Sequence, residues 1–176
     1  MKKGFTLIEL LIVMVLVGVL VTIALPKYRL SLERGRAQEG FTFLRQVAEN
    51  LNAYYIIHGK YPSATSSNWN KYLSGENASD YVRRKFFNVP LQRAIEGSSI
   101  ENKVAIDIIR PGFYTLSVLL DRGETHAFKC GPISSTDTEY VEYCGTLGFT
   151  PVSASSGTKY YSVTGGKGVS QVDPNF

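Results

Sequence analysis

Gly4-Phe5-Thr6-Leu7-Ile8-Glu9 opens the longest apolar run of the chain, and the sixteen residues that follow, Leu10 to Leu25, carry no charge. Read as a helix, Phe5 to Leu25 spans about 31 Å at 1.5 Å per residue, close to the hydrocarbon thickness of a bilayer. One membrane span is therefore the first reading of residues 5–25. A cleaved secretory signal is the rival, with Thr22-Ile23-Ala24 as a small-residue cleavage site. Two features weigh against it. Glu9 interrupts the apolar region near its start, and helical patterning continues beyond Pro26 where a fresh domain would otherwise begin.

That patterning places Leu30, Ala37, Phe41, Leu44, Ala48, Leu51 and Tyr55 on one stripe of an amphipathic helix. Glu33, Arg34, Arg36, Gln38, Glu39, Arg45, Gln46 and Glu49 are assigned largely to the other faces. Gly59 reads as the C-terminal glycine with Pro62 shortly after, so the helix is expected to stop near His58. Counted from Phe5 it has 54 residues, about 80 Å. Only its second half, residues 26–58, can pack on its own domain. The first half is left as membrane anchor or as packing surface for other subunits. Pro26 cannot donate to the Thr22 carbonyl, which predicts a kink, and Gly18 is a second weak point. Simple tolerance is the alternative, because membrane helices carry Gly and Pro more often than soluble ones.

At 176 residues the chain allows one ordinary domain plus an appendage. A formal charge of +4 with 19% charged residues is too mild for a dedicated nucleic-acid binder. Hydrophobic residues at 44%, 12% of the chain being aromatic, exclude disorder. Residues 59–103 read as a turn-rich connection holding Trp69, with short helices expected at Lys71 to Leu73 and Ser79 to Phe87. Three β-runs follow, Val104 to Arg110, Phe113 to Asp121 and Thr125 to Cys130. Turns at Pro111-Gly112 and at Asp121-Arg122-Gly123-Glu124 separate them, which predicts an antiparallel meander over 104–130. Helix stripe and sheet face would bury each other in an α+β layer architecture. The Gly/Ser/Thr-rich tail 145–176 offers one strand, Lys159 to Thr164.

No catalytic constellation stands out, and neither a cofactor nor a metal is implied. Two cysteines and two histidines fall short of a closely spaced four-ligand zinc site, and neither His58 nor His126 has a local ligand partner. Gly165-Gly166-Lys167-Gly168 lacks the length and the trailing Ser/Thr of a phosphate loop. Asn77-Ala78-Ser79 matches a glycosylation sequon, a pattern frequent by chance. Arg83, Arg84 and Lys85, flanked by Tyr81, Phe86, Phe87 and more distantly Trp69, are candidates for binding single-stranded DNA by charge and stacking. The preferred reading is a solvated loop over a small apolar cluster.

Lys2-Lys3, then Gly4-Phe5-Thr6-Leu7-Ile8-Glu9, then an apolar stretch ending in Ala24-Leu25-Pro26, resembles a type IV prepilin signal of the short-leader, type IVa-like kind. The resemblance runs over about residues 1–62, through Tyr54-Tyr55 and Gly59-Lys60-Tyr61-Pro62, and is architectural beyond. It implies that a prepilin peptidase removes residues 1–4 by cutting between Gly4 and Phe5, and that Phe5 is then N-methylated. It also implies an inner-membrane precursor with residues 59–176 as a head outside the cytoplasm. The pilus assembly machinery would pack it with other pilin subunits into a helical surface filament for adhesion, motility or DNA uptake. In that family Glu9 pairs with the Phe5 amine of a neighbour, and the segment from Gly18 to Pro26 loosens on assembly. Without the resemblance, Glu9 would favour the helix dipole and unpaired amides of the first turn, or reach its own chain's amine. Lys27, Arg29, Arg34 and Arg36 follow the span with only Glu33 to offset them, so loop charge alone does not orient it.

Cys130 and Cys144 enclose 13 residues that include Asp137, Glu139 and Glu142. An exported domain meets an oxidising compartment, and the resemblance implies a disulfide closing a C-terminal loop over 130–144, with free buried thiols as the alternative. Two other roles share the signal: a minor or competence pilin that binds DNA, and a type II secretion pseudopilin.

Overall fold

The long helix α1 covers Leu7–His58, 52 residues, about 78 Å. It ends where expected. Gly59 adopts φ 73° and its N–H bonds the Tyr55 carbonyl at 2.7 Å, a left-handed cap that glycine takes at no steric cost. The computed structural model describes residues 4–63, 86–88, 90–94, 101–131, 133, 140–153 and 159–163. Lys2, Lys3, Trp69, Tyr81, Arg83, Arg84, Lys85, the 77–79 sequon and the 165–168 glycine run lie outside the described residues. Of the short helices expected at 71–73 and 79–87, only Phe86 and Phe87 are described, and there the chain bends.

Six strands follow: β1 (Leu91–Ala94), β2 (Lys103–Arg110), β3 (Tyr114–Asp121), β4 (Glu124–Gly131), β5 (Thr150–Ser153) and β6 (Lys159–Val163). Between β4 and β5 lies a short helix, α2 (Tyr140–Thr146). The strands form one antiparallel sheet in the order β1-β2-β3-β4-β6-β5. The expected meander is β2-β3-β4. Arg122 and Gly123 both have positive φ, 48° and 85°, which matches the right-handed twist of the strands joined by this two-residue turn. His126 is the extra residue of a bulge opposite Leu119 and Leu120. Three elements were not expected: β1 inside the presumed connection, α2 across the end of the cysteine loop, and β5 in the tail.

The second half of α1 covers one sheet face. Its buried residues are Glu33, Ala37, Gly40, Phe43, Leu44, Val47, Ala48 and Leu51, at intervals that hold one helix face. Ala37, Phe43, Leu44, Val47, Ala48 and Leu51 meet Val104, Ile106 and Ile108 of β2, Tyr114, Leu116, Val118 and Leu120 of β3, and Phe128 of β4 in one cluster. This stripe is rotated slightly from the expected one. Phe41 and Tyr55 lie on its flank, partly buried, while Glu33, assigned by polarity to a solvent face, is buried at 4% exposure. Beyond the helix end, the Tyr61 hydroxyl donates to Asn52 Oδ1 at 3.0 Å and accepts from the Gly123 N–H at 2.9 Å. That staple ties α1 to the β3–β4 turn, and burial pushes the Tyr61 hydroxyl up to about 12.

Gly40 is required by close approach. A Cβ there would stand 2.7 Å from Phe87 Cζ and 3.1 Å from Leu116 Cδ1, both in the core. Gly35, on the exposed side of the same helix, has nothing within 4 Å of such a Cβ. Gly40→Ala is expected to destabilise the head by about 1–3 kcal/mol through overpacking. Gly35→Ala is expected to stabilise it by roughly 0.5–1 kcal/mol, the usual helix preference for alanine. Denaturant unfolding of the two variants in mild detergent checks the opposite signs.

Candidate functional site

The helix begins with a reciprocal cap. Thr6 is extended (φ −81°, ψ 151°), its Oγ1 accepts from the Glu9 N–H at 3.3 Å, and its own N–H donates to Glu9 Oε2 at 2.9 Å. The Thr6 hydroxyl also donates to Glu9 Oε2, at 2.8 Å. Two orphan amides of the first turn are satisfied this way. A reading of Glu9 as a lone charge misses Thr6, although Thr-x-x-Glu before an apolar run is the signature of this box. Both contacts to the Glu9 carboxylate fall on Oε2, so Oε1 keeps its capacity for another donor.

Gly4 and Phe5 precede the helix in irregular, exposed backbone, Phe5 with 86% of its surface free. The bond joining them is thus outside the hydrogen-bonded helix. From Phe5 through Arg29 every residue is exposed, including Leu7, Met14, Leu20 and Ile23. An apolar stretch of this length meets the requirement for crossing a membrane, and none of it is buried by the described residues. Pro26 lies inside α1, where it withholds a bond from the Thr22 carbonyl. The Thr22 hydroxyl bonds back to the Val19 carbonyl at 2.7 Å, a contact associated with bent helices. No atom lies within 4 Å of a Cβ built on Gly18.

The head grips this rod through a part-buried ion cluster centred on the buried Glu33. Arg110 of β2 reaches Glu33 twice, Nη2 to Oε1 at 2.9 Å and Nε to Oε2 at 3.2 Å. Arg36 bonds the same Oε1 from the next turn. The Arg110 guanidinium also lies 4.6 Å from the Phe113 ring and 5.8 Å from the Phe86 ring, and Nη1 donates to the Phe86 carbonyl. Burial by itself would raise the Glu33 pKa. The hydrogen bonds from Arg110 and Arg36 outweigh it and hold the carboxyl below its usual range.

Cys130 and Cys144 are joined, both fully buried, with Cα atoms 5.6 Å apart. The bond ties the end of β4 to α2. His58 stacks on Tyr54 at 3.9 Å and His126 sits at the β4 bulge. Among the described residues no three His, Cys, Asp or Glu side chains gather as metal ligands.

Glu33 supplies a pH test with a definite sign. Its folded pKa is depressed, so its contribution is present above the unfolded value of about 4.3 and is lost as pH falls through the folded value. Glu33→Gln should cost about 3 kcal/mol at neutral pH, because Arg110, largely withdrawn from solvent, stays without its countercharge. The variant should also lose part of the acid sensitivity below about pH 5. Unfolding curves from neutral to acid pH check both, and parallel curves for the two proteins would contradict the assignment.

Residues 1–25 match the family described as the prokaryotic N-terminal methylation motif. Over 67 residues, 38% of the chain, the sequence is 39% identical to a type IV major pilin protein of Neisseria gonorrhoeae and to a fimbrial protein of Neisseria meningitidis serogroup A. The match covers 41% and 39% of the lengths of those two relatives. A fimbrial protein of Moraxella nonliquefaciens is 51% identical over 41 residues, 23% of this chain and 27% of its own. No solved structure matches the chain.

Proposed function

We propose that this chain, similar to type IV pilins through its N-terminal third, is a structural and non-catalytic subunit of a type IV pilus. In this reading residues 1–4 are a leader, residues 5–25 the membrane and filament-core half of α1, residues 26–58 its head-bound half and residues 59–176 the head. The precursor sits in the inner membrane. A prepilin peptidase cuts between Gly4 and Phe5, the new Phe5 amine is methylated, and the assembly machinery moves the subunit from the bilayer into an extracellular filament.

One observation carries the proposal: an apolar half-helix that none of the described residues covers, headed by a carboxylate one turn past the proposed cut. Each large apolar side chain moved out of water contributes about 1.5–3 kcal/mol, so the exposed band strongly favours an apolar environment. Lipid supplies it first and neighbouring helices afterwards. Glu9 then has two tasks that do not conflict. Oε2 closes the cap with Thr6, while Oε1 accepts from the Phe5 amine of an adjacent subunit. In a dry helical core an unpaired carboxylate is severely unfavourable, and a paired one can fix axial register.

Glu9→Gln separates the two tasks, since glutamine serves a capping box as well as glutamate does. The variant should still fold, insert and be cut before Phe5. It should give few or no fibres when expressed alone. Mass measurement of the amino terminus and fibre counts by electron microscopy check this. Normal fibres from the variant would leave Glu9 only its capping role, and an amino terminus near Leu25 would replace the pilin reading with a conventional secretory signal.

A further inference from the structure

On its side turned away from the head, α1 carries few of the charges that a water-facing helix surface normally shows. Between Ser31 and Ile57 that side exposes Gly35, Thr42, Ala53, Ile56 and Ile57. Ile56 and Ile57 are 77% and 76% exposed. A side chain at Gly35 would meet nothing within 4 Å, so its own head does not require a glycine there. Glycine inside a helix is unfavourable without such a reason, and a close approach by a second chain supplies one.

The charges on this side sort into used and unused. Arg34 bonds the Thr146 carbonyl at 3.1 Å, and the Arg45 guanidinium lies 5.7 Å from the Phe128 ring centroid. Lys27 and Glu49 are exposed, and neither has an ion pair among the described residues. Lys27 precedes Glu49 by 22 residues, and Gly35 precedes Ile57 by the same 22. That offset is about six helical turns. The members of each pair therefore lie within about 40° of each other around the helix and about 33 Å apart along it. Neither pair can meet within one chain.

We propose that this side of α1 binds the α1 of a second copy, parallel to it and displaced by 22 residues. Lys27 of one copy then pairs with Glu49 of the other, and Ile57 seats over Gly35. The inference rests on the pilin reading and adds to it the register of one neighbour. Two complementarities, one of charge and one of shape, call for the same displacement, and at that offset Ala53 also lies opposite Ser31, small against small. In a bundle whose copies all turn their uncovered side to a common axis, both members of each pair face inward. The pairing of Glu9 with a Phe5 amine calls for a displacement of only four residues, about 6 Å. The two contacts therefore belong to different neighbours. Because the 22-residue contact joins unlike residues, it does not close on itself. Each copy offers Glu49 to one neighbour and Lys27 to another, as an open filament requires.

The test expresses the full chain in cells without an unaltered copy and weighs the fibres sheared from them. Glu49→Lys and Lys27→Glu should each lower the yield by about tenfold or more, the effect of a close charge pair at a protein contact. The swap Lys27→Glu/Glu49→Lys should restore most of it. Gly35→Leu should leave the head folded and lower the yield likewise. Lys27→Cys/Glu49→Cys should give a ladder of cross-linked copies in oxidised fibres on a non-reducing gel. Lys27→Cys/Thr42→Cys, on the same side but about 11 Å short of the required offset, should give little. Normal yield from the single reversals, a swap that restores nothing, or cross-linking through position 42 in preference to 49 would overturn the register. Any of these beside normal fibres from the unaltered chain removes this register alone. No fibres from the unaltered chain removes the pilin reading together with it.

Discussion

The helix α1 is about 78 Å long, while its buried residues run only from Glu33 to Leu51, a rise of about 28 Å. Everything else in the molecule follows from that mismatch. One sheet face is enough to cover the second half of the rod, and no element of the described chain returns to cover the first. Strand pairing reinforces the limit, because β2, β3 and β4 have eight residues each and put one set of alternating side chains against the helix. The remaining apolar surface is left uncovered by the described fold, and in the reading advanced above first a bilayer and then other copies cover it.

Such an arrangement needs a firm boundary between the covered and uncovered halves, and Glu33 with Arg110 provides it. A buried carboxylate is unfavourable unless paired, so the pair forms only if α1 and β2 meet in one register. Gly40 acts nearby in a steric sense. Its missing side chain lets the helix approach Phe87 and Leu116. An ion pair that fixes position and a glycine that fixes distance together set the head on the rod within two helical turns.

Those two residues also mark where the sequence was hardest to read. The long helix, its stop at Gly59 and the β2-β3-β4 meander were legible because each rests on local chemistry, namely periodicity, a left-handed cap and turn residues with positive φ. Glu33 was assigned to a solvent face because its partner lies 77 residues away in sequence, and no local pattern reveals that. β1 reads Leu-Gln-Arg-Ala, a strand only by virtue of pairing with Val104 through Asp107. β5 holds Pro151, tolerable because β5 is an edge strand, and α2 has seven residues, too few to show a period. At the N-terminus the Gly4-Phe5 and Glu9 spacing was plain, whereas the contribution of Thr6 emerged only from the cap geometry.

The same division of the rod explains why a helix breaker can be kept at Pro26. A proline within a packed helix would disturb every contact beyond it, whereas Pro26 stands seven residues before Glu33, the first buried position. Between Phe5 and Arg29 no residue is buried by the described residues, so bending or loosening there breaks helical hydrogen bonds and none of the described core contacts. Gly18 and the lost bond to the Thr22 carbonyl lie in this same stretch. The helix breakers therefore fall where the described fold depends on the rod least, and in the proposed assembly a change of curvature in this segment would accompany the change of surroundings while the head, fixed at Glu33 and Gly40, keeps its structure.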